Sequence, residues 1–344
     1  MKVSFLQYLQ CPHCRSVDLK VHSFRNSGEE IENGMIVCNA CRVWYPVVDG
    51  IPVVSKTPVL VDKWKKAVRA QWGQNYDFSS LKEPLATAED AKASEDQGAQ
   101  IEFYDHEADR YDEEITDTTF WRAFAKQTIH AWGATTEAKA GVILEVGCGT
   151  GASTAALAGL GCRIVALDIC LTTAKRAREK IRRLGLDPAV DFIVSEAEDL
   201  PFRPGLFKSS VFSGVLHHVS DPIRVLKQIS GVLCEGGTIY GHENNASAFR
   251  FLFDLLMKMK QLWHEEAGTH PLMKAAQVQA WGKQAGLRVK AKSLVFLPPH
   301  FFNLFPRSLA EGLLSFSNFM FGWVPWFKDQ GGLLILSGTK MTRE

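Results

Sequence analysis

The stretch ILEVGCGTGA, residues 143–152, reads as an apolar strand that runs into a glycine-rich turn. Gly147, Gly149 and Gly151 let the backbone pass close to a ligand. A helix opening just beyond them would offer free N–H groups to an anionic part of that ligand. Gly147, Gly149 and Ala152 satisfy the G-x-G-x-x-G/A pattern of dinucleotide sites. Gly147, Gly149 and Gly151, with Glu145 before them, fit a different cofactor equally well. These ten residues imply a nucleotide-like ligand and leave its identity open.

Outward from this stretch, short apolar strands alternate with helices. CRIVALDI, VDFIVSEAEDLPF, SSVFSGVLHHV and TIYGHE give four further strands. CLTTAKRAREKIRRLG and DPIRVLKQISGVLCEGG read as helices between them. The alternation predicts an α/β fold, a Rossmann-like parallel sheet with helices on both faces. LRVKAKSLVFL and LLILSGT are expected as the last two strands, at an antiparallel edge. In such folds the ligand lies across the carboxyl ends of the strands, and Asp168, ending the second, is placed to take ribose hydroxyls. These features fit NAD as well as S-adenosylmethionine.

The later loops separate the two. ILEVGCGTGA, IVALDI, SEAEDLPF, VLHHVSDP and VLKQISGVLCEGG occur in one order. Together they resemble the motifs of class I S-adenosylmethionine-dependent methyltransferases, especially the group that contains ubiquinone and menaquinone methyltransferases. The resemblance covers roughly residues 99 to 243. It implies S-adenosyl-L-methionine as cofactor and assigns roles by position. Glu145 would organise the glycine turn or meet the methionine amino group. Gly147, Gly149 and Gly151 would shape the pocket, and Asp168 would hold the ribose. Glu196, where the family usually has Asp, would accept from the adenine amine, and the Ala197 N–H would face the ring. Lys208 departs from the family's usual FD before the fourth strand. In the lead-in YDHEADRYDEEI, Tyr104 or Tyr111 could close over the methionine carboxylate, Tyr111 being better placed by motif. His217 and His218 end the fourth strand beside the transfer point. One of them is a candidate orienter or base, since histidine exchanges protons near neutral pH, and His218 matches the more regular family position. His242, Glu243 and Asn244 are expected to line the acceptor site.

The chain opens on a different pattern. Cys11 and Cys14 form one C-x-x-C pair, Cys38 and Cys41 another, with 23 residues between the pairs. Two such knuckles bring four thiolates to tetrahedral corners, the arrangement of a closed, structural zinc site. Asp49-Gly50 is a hairpin turn signal. LQCPHC, CNAC and YPVVDGIPVV resemble the small zinc ribbon that partners tRNA and release-factor methyltransferases, which implies a supporting or activating role. The expected layout is a ribbon over 1–58, a linker or irregular cover over 59–98, and a methyltransferase domain over 99–344.

The formal net charge is +1, with no long basic block, which gives nucleic acid no support as a partner. The N-terminus lacks the apolar core of a signal peptide. The remaining cysteines are scattered among apolar residues, as in a reducing cytoplasm. Within 298–328, residues 312–327 carry no formal charge and are rich in Phe, Leu and Trp. Three readings apply to this insert: an apolar lid over the acceptor, a dock for the ribbon or another subunit, or core beneath the sheet edge. The lid reading points to a small hydrophobic or lipid-like acceptor and to contact with a membrane surface. A tRNA or protein methyltransferase is the alternative, and a non-enzymatic ribbon scaffold a further one. The N-P-P-Y type of signature found in amino-methylating enzymes is absent, GVLHHV standing in its place. The sequence leaves the oligomeric state open.

Overall fold

The computed structural model describes residues 1–83, 87–111, 116–251, 255 and 272–342, without the side chains of 88–91, 93, 94, 96, 107 and 109–111. Most of ASAFRFLFDLLMKMKQLW, residues 246–263, whose apolar spacing predicts a helix, therefore lies outside the described residues.

The N-terminal unit is a four-stranded antiparallel sheet: β1 (Leu19–Ser27), β2 (Glu30–Cys38), β3 (Trp44–Val48) and β4 (Ile51–Pro52). Asp49 and Gly50 both have positive φ, +48° and +76°, which suits the right-handed twist of the β3–β4 hairpin.

The second sheet has seven strands. These are β5 (Val142–Val146), β6 (Arg163–Asp168), β7 (Val190–Val194), β8 (Phe207–Ser213), β9 (Leu233–Asn244), β10 (Leu287–Leu294) and β11 (Leu333–Lys340). Their order is β10-β11-β9-β8-β5-β6-β7. The strands from β5 to β9 are parallel, and β11 runs antiparallel to both β9 and β10. Alternation along β5 explains the two-sided cover: Leu144 and Val146 enter one apolar cluster, Ile143 the other. The fold class and the antiparallel edge match the sequence reading.

Two helices precede β5 in ways the sequence only half shows. Helix α1 (Pro58–Trp72) begins with proline at its first turn, where the missing N–H costs nothing. Helix α2 (Ala88–Tyr111) runs through the polar stretch that reads as irregular cover. Ala, Glu, Lys and Gln are good helix formers, and here propensity and docking replace an apolar period. Further on come α3 (Thr119–Ala125), α4 (Ala152–Gly159), α5 (Leu171–Arg183), α6 (Pro222–Val232), α7 (Ala275–Gln284) and α8 (Arg307–Trp323).

The ribbon shares the core of the larger domain. Phe5, Leu9, Tyr45 and Val54 belong to the same buried cluster as Leu144, Val165 and Ile193. Past β4 the chain lies parallel to β7: Val53 bridges Val194, and the Val54 N–H donates to Val194 O at 2.9 Å. This covers the edge of the seven-stranded sheet, whose backbone groups would otherwise be unpaired. Arg178 on α5 adds an ion pair to Glu30 at 2.7 Å.

The 298–328 insert lies at the other edge. Ala310 and Leu314 of α8 pack with Phe120 and Phe124 of α3, and with Val295 and Leu333 beside β10 and β11. One side of α8 is thus core, and the insert docks on α3 rather than on the ribbon. The outer side is apolar and open: Phe316 is 62% exposed, Trp323 78% and Trp326 88%.

Candidate active site

The strand ends of β5, β6, β7 and β8 bring the motif residues together. Gly147, Gly149 and Gly151 have φ of +73°, +52° and +84°. Gly147 is further constrained by packing, since a Cβ there would lie 2.5 Å from Val215 Cγ2. The glycine turn therefore rests against the turn that follows β8. The N–H groups of Gly147 and Cys148 donate to Leu167 O at 2.8 and 2.9 Å, tying the same loop to β6.

Asp168 completes that tie. Its Oδ2 accepts the Gly149 N–H at 2.7 Å, and its Oδ1 accepts from Cys170 N at 2.9 Å and Thr173 Oγ1 at 2.8 Å. Burial pushes its pKa upward against these hydrogen bonds. Glu145, also buried, accepts from Thr154 Oγ1 of α4 at 2.6 Å. This bond ties the end of β5 to the first turn of the helix that follows the glycine loop. Burial lifts the Glu145 carboxyl to about 8, opposed by the Thr154 hydrogen bond and helped by the nearby Asp168.

The loop expected to face adenine, residues 195–203, is gripped by the ribbon. Ser55 donates its hydroxyl to Glu196 Oε2, and both residues are buried. Burial raises Glu196 to about 7. Buried Asp199 pairs with Arg15 and Lys56. Gln10 N donates to Pro201 O at 2.9 Å, and Arg203 N to Tyr8 O at 3.0 Å. On the far side, Arg224 Nε of α6 donates to Glu198 O at 2.9 Å. Ala197 is buried beside Glu196, and Phe202 is buried against Phe207. Arg15, Ser55 and Lys56 escape motif reading because they are separated from their partners by 141 residues or more.

The turn after β8 carries the two histidines. His217 is buried, and its Nδ1 lies 2.7 Å from Glu243 Oε2. His218 is half-buried, with Nε2 3.2 Å from Tyr104 Oη of α2. Gln100 of α2 also donates to His218 O. Tyr104 is thus the lead-in tyrosine that meets His218, while the Tyr111 side chain lies outside the described residues. The expected trio, His242, Glu243 and Asn244, forms the last three residues of β9 and separates. Glu243 faces His217. Asn244 Oδ1 accepts from Arg250 at 2.8 Å. His242 packs between Trp121 and Phe124, and burial drives its pKa down to about 4.

In the ribbon, the ligand sulfurs of Cys11, Cys14, Cys38 and Cys41 all lie within 4.8 Å of one another. Cys11–Cys41 and Cys14–Cys38 are 3.6 and 3.5 Å apart, close to the separation of about 3.8 Å around a tetrahedral zinc and far beyond a disulfide bond. The two knuckles repeat one backbone design. Arg15 and Arg42, each following a second cysteine, have φ of +59° and +63°, and their N–H groups donate to Cys11 O and Cys38 O. This donor set fits zinc, and four thiolates leave it no open position for catalysis.

Comparison with known proteins finds two separate matches along the chain. Residues 144–241 match the methyltransferase domain family, and residues 2–50 match the Trm112p-like protein family. Over 161 residues the chain is 29% identical to the ubiquinone biosynthesis O-methyltransferase of Xanthomonas campestris pv. campestris, covering 46% of this chain and 66% of that protein. It is 28% identical over 152 residues to the enzyme of that name in Pseudomonas aeruginosa, covering 43% and 65%. The chain thus spans just under two thirds of these relatives. Among solved structures, a complex between the Haloferax volcanii Trm112 methyltransferase activator and a putative methyltransferase superposes with a TM-score of 0.52 at 19% identity. The match covers 71% of this chain and 99% of that one, and at this identity it speaks to the fold. Among the described residues, no helix is long and apolar enough to cross a membrane.

Proposed function

We propose that this chain, which joins a class I S-adenosylmethionine methyltransferase domain to a Trm112-like zinc-binding module, transfers a methyl group from S-adenosylmethionine. The observation that carries the reading is the Gly149–Asp168 hydrogen bond, which unites the glycine turn with the acid expected to hold ribose, at adjacent strand ends. The cofactor, when bound, supplies an electrophilic methyl on a positive sulfur. The chain's part is alignment and removal of water. Gly147, Gly149 and Gly151 would cradle the methionine end, Asp168 the ribose, and Glu196 with Ala197 the adenine. Tyr111 remains a candidate for the methionine carboxylate. His217 or His218 would orient the acceptor or take its proton.

The ribbon would act by holding the adenine-side loop in its binding shape. Cys11 and Cys14 sit between Gln10 and Arg15, which bond to Pro201, Leu200 and Asp199. Zinc in the knuckle would preorganise these anchors.

Two acceptor classes draw support from different observations. Acceptors on tRNA or protein are favoured by the Trm112p-like module, which matches its family model across residues 2–50. A small, hydrophobic acceptor is second. It is supported by the relatives named for ubiquinone biosynthesis and by the exposed aromatic face of α8, which would suit a cytoplasmic protein resting on a membrane surface. The preference drawn from the sequence therefore moves to second place.

Isothermal calorimetry with S-adenosylmethionine, S-adenosylhomocysteine and NAD tests the cofactor. Binding of NAD alone would overturn the reading. Transfer of a labelled methyl from the cofactor to bulk tRNA, a ribosome-free protein extract or a lipid extract then separates the acceptor classes.

A further inference from the structure

We infer that the outer face of α8 is a dimer interface, covered by the same face of a second copy of this chain. The inference is independent of the methyl acceptor. Ala310, Leu314 and Ser317 are the buried residues of α8 and mark one side of the helix as core. Leu309, Phe316, Phe319, Met320 and Trp323 recur at spacings of three and four on the opposite side, and all are exposed. Trp326 extends the same apolar surface just past the helix.

The size of this face matches a stable interface. At roughly 150–250 Å² for an aromatic side chain, the exposed parts of Phe316, Phe319, Trp323 and Trp326 come to roughly 600 Å². Leu309 and Met320, each about half exposed, bring the face close to the ~800 Å² that one partner gives to a standard protein interface. Ordinary monomers show largest apolar patches of only ~300–600 Å². Aromatic residues and Met are also the types enriched where proteins meet.

Gly312 points to the occupant. It lies amid the apolar stripe, is exposed, and a Cβ there would meet nothing within 4 Å. Glycine weakens a helix interior, and no neighbour in the chain requires it here. It leaves a notch one turn from the bulky Phe316. A two-fold axis at the level of Leu314, with the helices antiparallel, sets Phe316 of each copy into the Gly312 notch of the other. The same register sets Leu309 against Phe319. One axis thus satisfies both large–small and apolar pairings, as an isologous contact requires. A lipid surface has no use for the notch, and residues 312–327 carry no cation to meet its phosphates. Pairing here also braces the site from behind. α8 packs on Phe124 of α3, and Phe124 and Trp121 hold His242 at the end of β9.

Sedimentation equilibrium of the full chain over a dilution series tests the interface. We expect a dimer that dissociates on dilution. Gly312→Phe fills the notch and should weaken the dimer at least about tenfold, with unchanged circular dichroism. Gly312→Phe with Phe316→Ala exchanges the large and small positions and should restore it. A parent that stays monomeric, or a Gly312→Phe dimer as tight as the parent's, overturns the inference. So does a parent monomer that sediments with phosphatidylglycerol vesicles, more strongly still as Gly312→Phe, which assigns the face to lipid. Should Gly312→Phe not fold, Leu309→Glu at a half-exposed position takes its place, and a dimer that survives it is equally fatal.

Discussion

Ser55, three residues past the ribbon's last strand, donates its hydroxyl to the buried carboxylate of Glu196 in the adenine-side loop. A residue of the metal-binding unit thereby reaches a residue expected to read the cofactor. If Glu196 reads the cofactor, as proposed, the link gives the ribbon a measurable consequence.

Ser55→Ala should weaken S-adenosylmethionine binding and lower stability by about 1–3 kcal/mol, the cost of leaving a buried acceptor without its donor. Calorimetry and urea unfolding measure the two effects. Equal affinity in the variant would remove the ribbon from the cofactor site.

Removing zinc should have a larger effect through the same contacts. Chelation, or Cys38→Ser, opens the closed four-thiolate site and frees Gln10 and Arg15 from their seats on the loop. We expect cofactor affinity to fall at least about tenfold, roughly 1.4 kcal/mol, with partial unfolding of β1–β4 seen by hydrogen exchange. Zinc restored to the chelated protein should recover both.

Gly147→Ala combines a left-handed backbone with a clash on Val215, and should destabilise by about 2–4 kcal/mol and abolish cofactor binding. Gly159→Ala is the control. Its Cβ would meet nothing within 4 Å at the end of α4, so its stability should match or slightly exceed the parent's in a thermal melt.

Stability should depend on pH through Glu145. Its carboxyl has a folded pKa of about 8 against 4.5 for the ordinary group, so the folded protein holds the proton more tightly. The associated stability is present in full below pH 4.5 and is lost as pH rises through about 8. Glu145→Gln, which can still accept from Thr154, should therefore gain on the parent as pH rises across that window, by on the order of 5 kcal/mol at the top. Parallel urea titrations at several pH values measure the divergence.

If the outer face of α8 and the turn just past it meet a membrane, Trp323→Ser with Trp326→Ser should abolish sedimentation with phosphatidylglycerol vesicles while leaving the melting temperature unchanged, since both side chains are exposed. Co-sedimentation of the parent and variant alike would discard the membrane contact.

The strand–glycine–helix alternation, the two cysteine knuckles and the Asp49-Gly50 turn were all legible in the sequence by itself. Each is a local pattern: a period, a spacing, or a residue type demanded by a backbone angle. α2 was not legible, because its stretch is polar and its burial at Gln97 and Ala108 depends on what surrounds it.

The tertiary structure alone decided which distant residues serve the site. Nothing local marks Ser55 for Glu196, Arg15 for Asp199, or Glu243 for His217, for these pairs are made by strand order and domain docking. A buried carboxylate needs donors from wherever the chain can bring them, and only the folded packing specifies which residues those are. The sequence by itself determined the parallel sheet, the metal ligands and the glycine turn. The three-dimensional arrangement determined that the ribbon grips the 195–203 loop, and that Glu243 stands behind His217.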